Sequence, residues 1–391
     1  MTMTAPPRIG ITAEWNPFHL GHAAMISQIR EIFPQAPIVA AMSGSFVQRG
    51  EPALFDKWMR ARWALCAGID IVFELPVLYA LQSADIFSSS AVSLLSHTGA
   101  THIAFGTESL SSDELKEAAS WALTPSYKKV FHQALQEGIS YGQAAYQAMA
   151  AFSPYLAKEL SKPNNLLGYR YTETILREGY PMDILVIHRD MNHNISATAA
   201  REELTKQHST SLLPAYAAEE ATEAMHNGWY SEKSRYEDSC FLISRRLSQE
   251  SLAKTGLFRE GLENKWAKES SQNSYGDMLD AIKSKRYLYS RLKRIGAQLL
   301  LSPDGKQSPF SHPLAPTYLR VLGLRKEKSF LLRNATLPVF TSAAKALRLL
   351  PSKARDSFLL DILATDIRAF TVASSDGRKS HQDFYQSPIV Q

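Results

Sequence analysis

A loop that follows the first apolar run carries the residue types best suited to chemistry. Residues 13–26 read AEWNPFHLGHAAMI, so that His19 and His22 stand on either side of Gly21. A helix that begins near Gly21 would place free backbone N–H groups and the positive end of its dipole at this loop, which favours phosphate binding. Histidines three residues apart share one helix face. Both can therefore donate hydrogen bonds to phosphoryl oxygens as negative charge builds up in a transition state.

Two interpretations of this loop compete. A turn with two solvated histidines is the simpler one, because a motif as short as His-x-Gly-His arises by chance. The strand before the loop and the helix after it favour the functional interpretation, in which His19 and His22 are catalytic. Gly21 then allows the backbone to come close to a phosphate group, which a side chain would obstruct.

A second helix start carries polar residues of a similar kind. Residues 192–204 read NHNISATAAREEL. Capping of the following helix by Ser196 or Thr198 explains part of this pattern without any ligand. Considered together with the first loop, the pattern also predicts that this helix start and Arg201 hold a triphosphate from the side opposite the two histidines.

The elements around these loops predict an α/β fold. Short apolar runs typical of buried parallel strands lie at residues 8–13, 37–42, 69–75, 101–105 and 181–188. Amphipathic helical patterns lie between them, at residues 23–33, 55–67 and 84–97. This alternation predicts βαβ units in a doubly wound, Rossmann-like parallel sheet. Such sheets bind ligands beyond the carboxyl ends of their strands.

The strand signal fades after about residue 212, and the rest of the chain reads mainly as helices. We therefore expect two domains, a Rossmann-like catalytic domain at residues 1–212 and a mainly α-helical domain at residues 213–391. Residues 241–300 contain twelve Lys and Arg against six Asp and Glu, whereas the whole chain has a net charge of only +5. This local surplus predicts that the second domain contacts a polyanion.

The most basic segment reads KSKRYLYSRLKR, at residues 283–294. A run of this kind is usually a solvated helix face. Its place in the basic region favours RNA binding instead, because Lys and Arg bind phosphates while Tyr287 and Tyr289 can stack on unpaired bases. The basic residues predicted to contact RNA are Lys283, Lys285, Arg286, Arg291, Lys293 and Arg294.

Cysteine usage and hydropathy argue against several classes of protein. Cys66 and Cys240 stand far apart in unlike contexts, so they predict neither a disulfide framework nor a thiolate metal cluster, and we expect a cytoplasmic location. The sequence lacks a run of about 18 apolar residues and a secretory signal pattern at its start. No membrane contact, no protein partner and no protein metal site are predicted.

Several long blocks of sequence carry a family resemblance. They read AEWNPFHLGH, MSGSFVQRGEPALFDKWMRARWAL, ELPVLYALQSADIFSSSAV, FGTES, KPNNLLGYRY and GLENKW. Over most of its length the chain resembles the bacterial tRNA(Met) cytidine acetate ligase family of the nucleotidyltransferase superfamily. The resemblance implies an enzyme that activates acetate with ATP as acetyl-adenylate and passes the acetyl group to N4 of the wobble cytidine of elongator tRNA(Met). Mg²⁺ would enter with the ATP phosphates, held by few protein groups.

The resemblance also assigns nucleotide-binding residues. The segment implied to bind ATP consists of Thr12, Ala13, Glu14, Trp15, Asn16, Pro17, Phe18, His19, Leu20, Gly21, His22, Ala23, Ala24 and Met25. The other positions where the family contacts the nucleotide, or where its second motif lies, are Gly106, Asn164, Arg189, Asp190, Ser196 and Arg201. Without the resemblance, a turn, a loop and a strand end would explain Gly106, Asn164 and Arg189.

The segment SGSFVQRGEPALFDK allows two interpretations. Ser43 and Gly44 follow the second strand and can line a small acetate pocket, while Arg49 and Lys57 can neutralise pyrophosphate or contact tRNA. The alternative is a solvated loop in which Asp56 caps the helix that begins near Lys57.

Two other functions stay open at this point. The chain can be an adenylyltransferase that acts on a small phosphorylated cofactor precursor, although such an enzyme needs no helical domain with a basic face. It can also be a non-catalytic RNA-binding protein with a relic nucleotide fold, although the intact His19, Gly21, His22 and Arg201 argue against that.

Overall fold

One large mixed sheet organises the molecule, whose computed structural model describes residues 7–188, 195–284, 286–302, 306–313 and 315–391. The strands are β1 (Ile9–Ala13), β2 (Ile38–Ser43), β3 (Phe46–Val47), β4 (Glu51–Pro52), β5 (Ile71–Leu75), β6 (His102–Thr107), β7 (Asp183–His188), β8 (Leu319–Leu324), β9 (Val339–Phe340) and β10 (Ile389–Val390). Strands β3 and β4 form a separate hairpin, and the other eight form the sheet.

Helices account for most of the remaining structure. They are α1 (Leu20–Ile32), α2 (Lys57–Cys66), α3 (Val77–Ala80), α4 (Ala84–Ser96), α5 (Ser112–Leu123), α6 (Pro125–Gln136), α7 (Tyr141–Ala150), α8 (Pro154–Glu159), α9 (Pro163–Glu178), α10 (Ala197–Glu202), α11 (Ala215–His226), α12 (Lys233–Arg246), α13 (Gln249–Lys254), α14 (Leu262–Glu269), α15 (Tyr275–Ile282), α16 (Tyr289–Leu300), α17 (Ala343–Leu349), α18 (Ser352–Phe370) and α19 (Gln382–Tyr385). A π-helical turn, Glu203–Gln207, extends α10. Within the described ranges, no helix combines the length and apolar character needed to cross a membrane.

Five parallel strands form the centre of the sheet, in the order β5-β2-β1-β6-β7. The chain enters at β1, builds outward to β5 on one side and then to β7 on the other, so the strand order reverses between β1 and β6. Open α/β sheets bind their ligands at such a reversal. The predicted Rossmann-like sheet is confirmed, and each of its five predicted strands lies within two residues of the observed one at either end.

Burial on both faces explains why these segments form parallel strands. All six residues of β2 and all five of β5 are buried. Along β2, Val39 and Ala41 belong to the core that includes α4, whereas Ile38 and Met42 belong to the core under α1 and α2. A sheet covered on both faces needs such continuous apolar runs. The loops at the carboxyl ends are therefore positioned by a rigid scaffold.

The region after residue 212 is mainly helical, as predicted, but it also contributes three short strands to the sheet. Strand β8 pairs antiparallel with β5, and β9 and β10 both pair with β8. A six-residue apolar run such as LRVLGL cannot be distinguished from part of a buried helix by its periodicity, which is why the sequence missed it. Helices α11 to α16 do lie where helices were expected. The division at residue 212 stays a prediction about function, because the sheet takes strands from both sides of it.

A buried group of four charged side chains joins the ends of the chain. The Nζ atom of Lys57 lies 2.9 Å from a Glu74 carboxylate oxygen and 2.7 Å from one of Asp383. Arg320 of β8 pairs with the same two carboxylates. Lys57 is 0% exposed, so it cannot reach RNA or pyrophosphate at the surface. The prediction of Lys57 as a tRNA contact was therefore wrong, whereas Asp56 does cap α2 by accepting a hydrogen bond from the Met59 N–H.

Replacing Lys57 should destabilise the fold strongly. In Lys57→Met, two buried carboxylates lose a cation, and we expect the free energy of unfolding to fall by about 3–5 kcal/mol. Urea denaturation would measure it. Lys206→Met is a matched control, because Lys206 forms an exposed ion pair with Glu202 and its loss should change stability by about 0.5 kcal/mol or less. Equal effects of the two substitutions would contradict the assignment.

Candidate functional site

The loop between β1 and α1 is fixed in place by its own side chains. Trp15 is 3% exposed and Phe18 is 0% exposed, and the Asn16 side-chain oxygen accepts a hydrogen bond from the Leu54 N–H at 2.8 Å. Trp15 has a φ of 45°, in the left-handed region that costs a non-glycine residue about 1–2 kcal/mol. The burial of the Trp15 and Phe18 side chains offsets this cost. The loop is thus held in an unusual conformation by the protein itself.

His19 and His22 cap the start of α1 reciprocally. The Nδ1 atom of His19 accepts a hydrogen bond from the Gly21 N–H at 3.1 Å, and Nδ1 of His22 accepts one from the His19 N–H at 3.2 Å. The two rings stack, with centroids 3.6 Å apart. Because Nδ1 accepts in both rings, the neutral rings carry their proton on Nε2. The caps therefore fix both orientation and tautomer, and they make Nε2–H the donor of each ring.

Gly21 leaves room for the ring of His19. A Cβ atom at position 21 would lie 3.1 Å from both Cε1 and Nδ1 of that ring. His19 is 2% exposed and has little room to move away. The glycine thus allows the cap to form, which is a structural reason beside the predicted approach of a phosphate.

The second helix start lies beside this loop. Ser196 caps α10 by accepting a hydrogen bond from the Ala199 N–H at 3.1 Å, as the capping interpretation predicts. The Arg201 guanidinium donates a hydrogen bond to the Asn16 carbonyl within the first loop, and another to Thr198 Oγ1 at 3.3 Å. The structure therefore brings Arg201 to the loop that carries the histidines.

The residues expected around the nucleotide on the β6 side occupy one corner. Gly106 lies near the carboxyl end of β6, and Asn164 lies in the first turn of α9. The Glu108 carboxylate accepts hydrogen bonds from the backbone and side-chain N–H groups of Asn164, at 3.1 and 2.7 Å, and from the Asn165 N–H at 2.8 Å. Arg189 and Asp190 lie outside the described residues. This corner adjoins β1 at the strand-order reversal.

Arg60 joins the loops that follow β1 and β2. Sequence reasoning missed this residue, because it reads only as one basic residue among others in α2. Its guanidinium is fully buried and donates hydrogen bonds to the carbonyls of Glu14, at 2.6 Å, of Ser43, at 3.0 Å, and of Gly44. Burial lowers the pKa of Arg60 to about 10, so the guanidinium keeps its charge at neutral pH. Gly44 leaves space for Glu74, because a Cβ there would lie 2.1 Å from a Glu74 carboxylate oxygen.

Helix α16, the basic helix, carries Arg291, Lys293 and Arg294 and packs against the β3–β4 hairpin. A Cβ at Gly50, where φ is +78°, would lie 2.5 Å from the backbone nitrogen of Arg294. Glu51 in the hairpin lies 3.9 Å from Arg201 and 3.7 Å from Lys293. The Glu51 carboxylate thus lies between Arg201, which contacts the first loop, and Lys293 of the basic helix.

The other predicted RNA contacts vary in exposure. Lys283 and Arg286 are exposed, with Arg286 paired to Glu260 at 2.8 Å, and Arg291 is half-buried. Lys285 lies outside the described residues. The helix begins at Tyr289 rather than at residue 283. Tyr287 is buried and donates a hydrogen bond to the Glu260 carbonyl, so the expectation that it stacks on RNA bases was wrong.

Comparison with known proteins identifies the family. The model of the HIGH nucleotidyl transferase family matches residues 7–383. A Fervidobacterium nodosum protein named tRNA(Met) cytidine acetate ligase is 30% identical, over 96% of this chain and 97% of its own. The chain belongs to the tRNA(Met) cytidine acetate ligase family. A Bacillus subtilis member is 34% identical over 82% of each chain.

A solved structure agrees with this family assignment. The crystal structure of Thermotoga maritima TmcAL bound with alpha-thio ATP matches with a TM-score of 0.90 and 30% sequence identity, and the match covers 98% of this chain and 99% of that one. The family's fold therefore extends over both the sheet and the helical region.

Removing the Glu108 carboxylate should loosen the start of α9. Three donors in its first turn lose their acceptor in Glu108→Ala, so we expect the free energy of unfolding to fall by about 1–2 kcal/mol. Urea denaturation would measure this change. Glu117→Ala, at an exposed position of α5, should change it by about 0.5 kcal/mol or less. A loss no larger than this control would show that the contacts contribute nothing to stability.

Proposed function

We propose that this chain is an ATP-dependent ligase that forms acetyl-adenylate and transfers the acetyl group to N4 of the wobble cytidine of elongator tRNA(Met), giving N4-acetylcytidine. The observation that carries the proposal is the reciprocal histidine cap at the strand-order reversal, in a chain that aligns with the acetate ligases over nearly its full length. The names of the relatives supply the substrates.

The first step needs positioning and charge stabilisation. An acetate oxygen attacks the α-phosphorus of ATP, the bond to the β-phosphate oxygen breaks, and pyrophosphate leaves. His19 and His22 donate from Nε2–H to phosphoryl oxygens as charge builds up, and Arg201 and the start of α10 hold the triphosphate. The attacking group comes from the substrate, so no protein nucleophile takes part. Mg²⁺ arrives bound to the ATP phosphates.

The second step transfers the acetyl group. The N4 amine of the cytidine attacks the acetyl carbonyl carbon, the bond to the AMP oxygen breaks, and the amine loses a proton. Residues 213–391 bind the tRNA through Lys283, Arg286, Arg291, Lys293 and Arg294, whose cations contact phosphates. The packing of α16 on the β3–β4 hairpin supports this arrangement, because it brings the basic helix close to Arg201. We expect the reaction in the cytoplasm.

Labelled acetate tests the proposal directly. Purified protein, ATP, labelled acetate and total bacterial tRNA should give label in N4-acetylcytidine after nuclease digestion, and omission of ATP should abolish it. His22→Ala should reduce the rate by about 100-fold or more, because a transition-state donor is lost. Ser27→Ala, on the exposed face of the same helix, should keep the wild-type rate.

Two other results would change the proposal. Acetate-dependent formation of AMP without label in tRNA would support the ATP site and refute the acceptor. Failure of the wild-type protein to consume ATP with acetate and tRNA would refute the ligase activity itself.

Gly21→Ala should separate activity from stability. The new Cβ crowds the His19 ring and shifts it by a fraction of an ångström, so we expect the acetylation rate to fall by about 10–100-fold. Stability should stay within about 1 kcal/mol of wild type, because alanine is the better helix former. The labelled-acetate assay and urea denaturation measure the two quantities. Full activity in Gly21→Ala would contradict the importance of the ring position.

A further inference from the structure

Two buried polar groups beside the first loop have no partner within the described part of the chain. They are Oγ of Ser43, at the end of β2, and Nε2 of Gln48, in the β3–β4 hairpin. Ser43 is 0% exposed. Burial of a donor without an acceptor destabilises a protein, so such a group in a native structure calls for an explanation.

Both residues adjoin Glu14, the residue that leads from β1 into the histidine loop. The Gln48 backbone N–H donates a hydrogen bond to the Glu14 carboxylate. Arg60 donates to the carbonyls of Glu14 and Ser43 through one nitrogen, Nη1. Ala13 and Met42 form the last pair of the β1–β2 register, and Glu14 and Ser43 directly follow them along the chain. The two donors therefore lie on the β2 side of β1, across the loop from Gly106 and Asn164.

The chemistry of this position fits a small carboxylate. A carboxylate has two acceptor oxygens, one for each of the two donors. A nucleophile that attacks the α-phosphorus in line must approach from the side opposite the departing pyrophosphate. The guanidinium of Arg60 is occupied by three carbonyls, so the position offers neutral donors rather than the cations that phosphate prefers. Burial raises the pKa of the Glu14 carboxyl above its ordinary value.

The size of the acid is limited by Glu74. Its carboxylate fills the space beside Gly44, where even a Cβ would lie 2.1 Å from an oxygen. Lys57 and Arg320 hold that carboxylate in place. An acid bound in a recess beside Ser43 and Gly44 would therefore meet the Glu74 carboxylate on the β5 side, which would leave little room for a longer acyl chain.

We infer that Gln48 Nε2–H and Ser43 Oγ–H donate hydrogen bonds to the carboxylate of the acetate and orient it toward the α-phosphorus. This inference deepens the proposed function and rests on it. Gln48 is the new element, because nothing in its sequence context distinguishes it from a loop residue. Gly44 does not contact the acid; it leaves space for the Glu74 carboxylate, which limits the recess on one side.

The test uses the first half-reaction with full-length protein. Acetate-dependent exchange of pyrophosphate into ATP gives the KM for acetate, and equilibrium dialysis without acetate gives the Kd for ATP. Gln48→Leu and Ser43→Ala should each raise the KM for acetate by about 5–100-fold, the loss of one buried hydrogen bond. The Kd for ATP should stay within about twofold. Gln35→Leu, at an exposed loop position before β2, is the matched control.

The stability of Ser43→Ala and the choice between acetate and propionate provide two further tests. Ser43→Ala removes an unpartnered hydroxyl, so without acetate it should be as stable as wild type in urea, whereas a structural hydroxyl would lower stability when lost. Acetate should be preferred over propionate by the wild type, because the Glu74 carboxylate stays in place.

The opposing results are distinct. Wild-type exchange with an unchanged KM for acetate in both variants would show that water satisfies the two groups and would overturn the inference alone. A parallel loss of ATP affinity would overturn it too, by assigning the residues to the nucleotide. The absence of acetate-dependent exchange in the wild type would refute the proposed function, and the inference with it.

Discussion

The free N–H groups at the start of α1 are the constraint on which the site depends. Every helix begins with backbone donors that need acceptors, and serine, threonine, aspartate or asparagine usually supplies the acceptor. Here two histidines supply the acceptors through Nδ1. His19 accepts a hydrogen bond from the Gly21 N–H, and His22 accepts one from the His19 N–H. The same hydrogen bonds that begin the helix also fix the rings. Local folding and preparation of the site are therefore one event.

Buried arginines connect the first loop to the rest of the molecule. Arg60 binds the carbonyls at the ends of β1 and β2, and Arg368 of α18 binds those of Ala53 and Leu54. Leu54 in turn donates to Asn16. Carbonyl oxygens at strand ends and in loops have no partner in the sheet, so guanidinium groups with several donors can satisfy a few of them at once. The site's rigidity thus comes from residues far from it along the chain.

The sequence predicted what depends on local pattern. Apolar runs located the five central strands, and the motif spacing located the loop of His19 and His22 at the strand-order reversal. It failed where the deciding partner is distant along the chain. Lys57 looked like a surface cation because its partners, Glu74 and Asp383, come later. Strand β8 was missed for the same reason, since only its pairing with β5 distinguishes it from a buried helix.

The antiparallel strand β8 also bears on how the protein is made. Strand β5 leaves the ribosome more than two hundred residues before β8, a delay of roughly 10–50 s at about 5–20 residues per second. During this interval the edge of β5 has unpaired N–H and C=O groups, and Glu74 and Lys57 lack Arg320 and Asp383. An open strand edge is a template for pairing with other chains. The nascent chain therefore carries an open strand edge, which favours aggregation, until β8 is synthesised and pairs with β5.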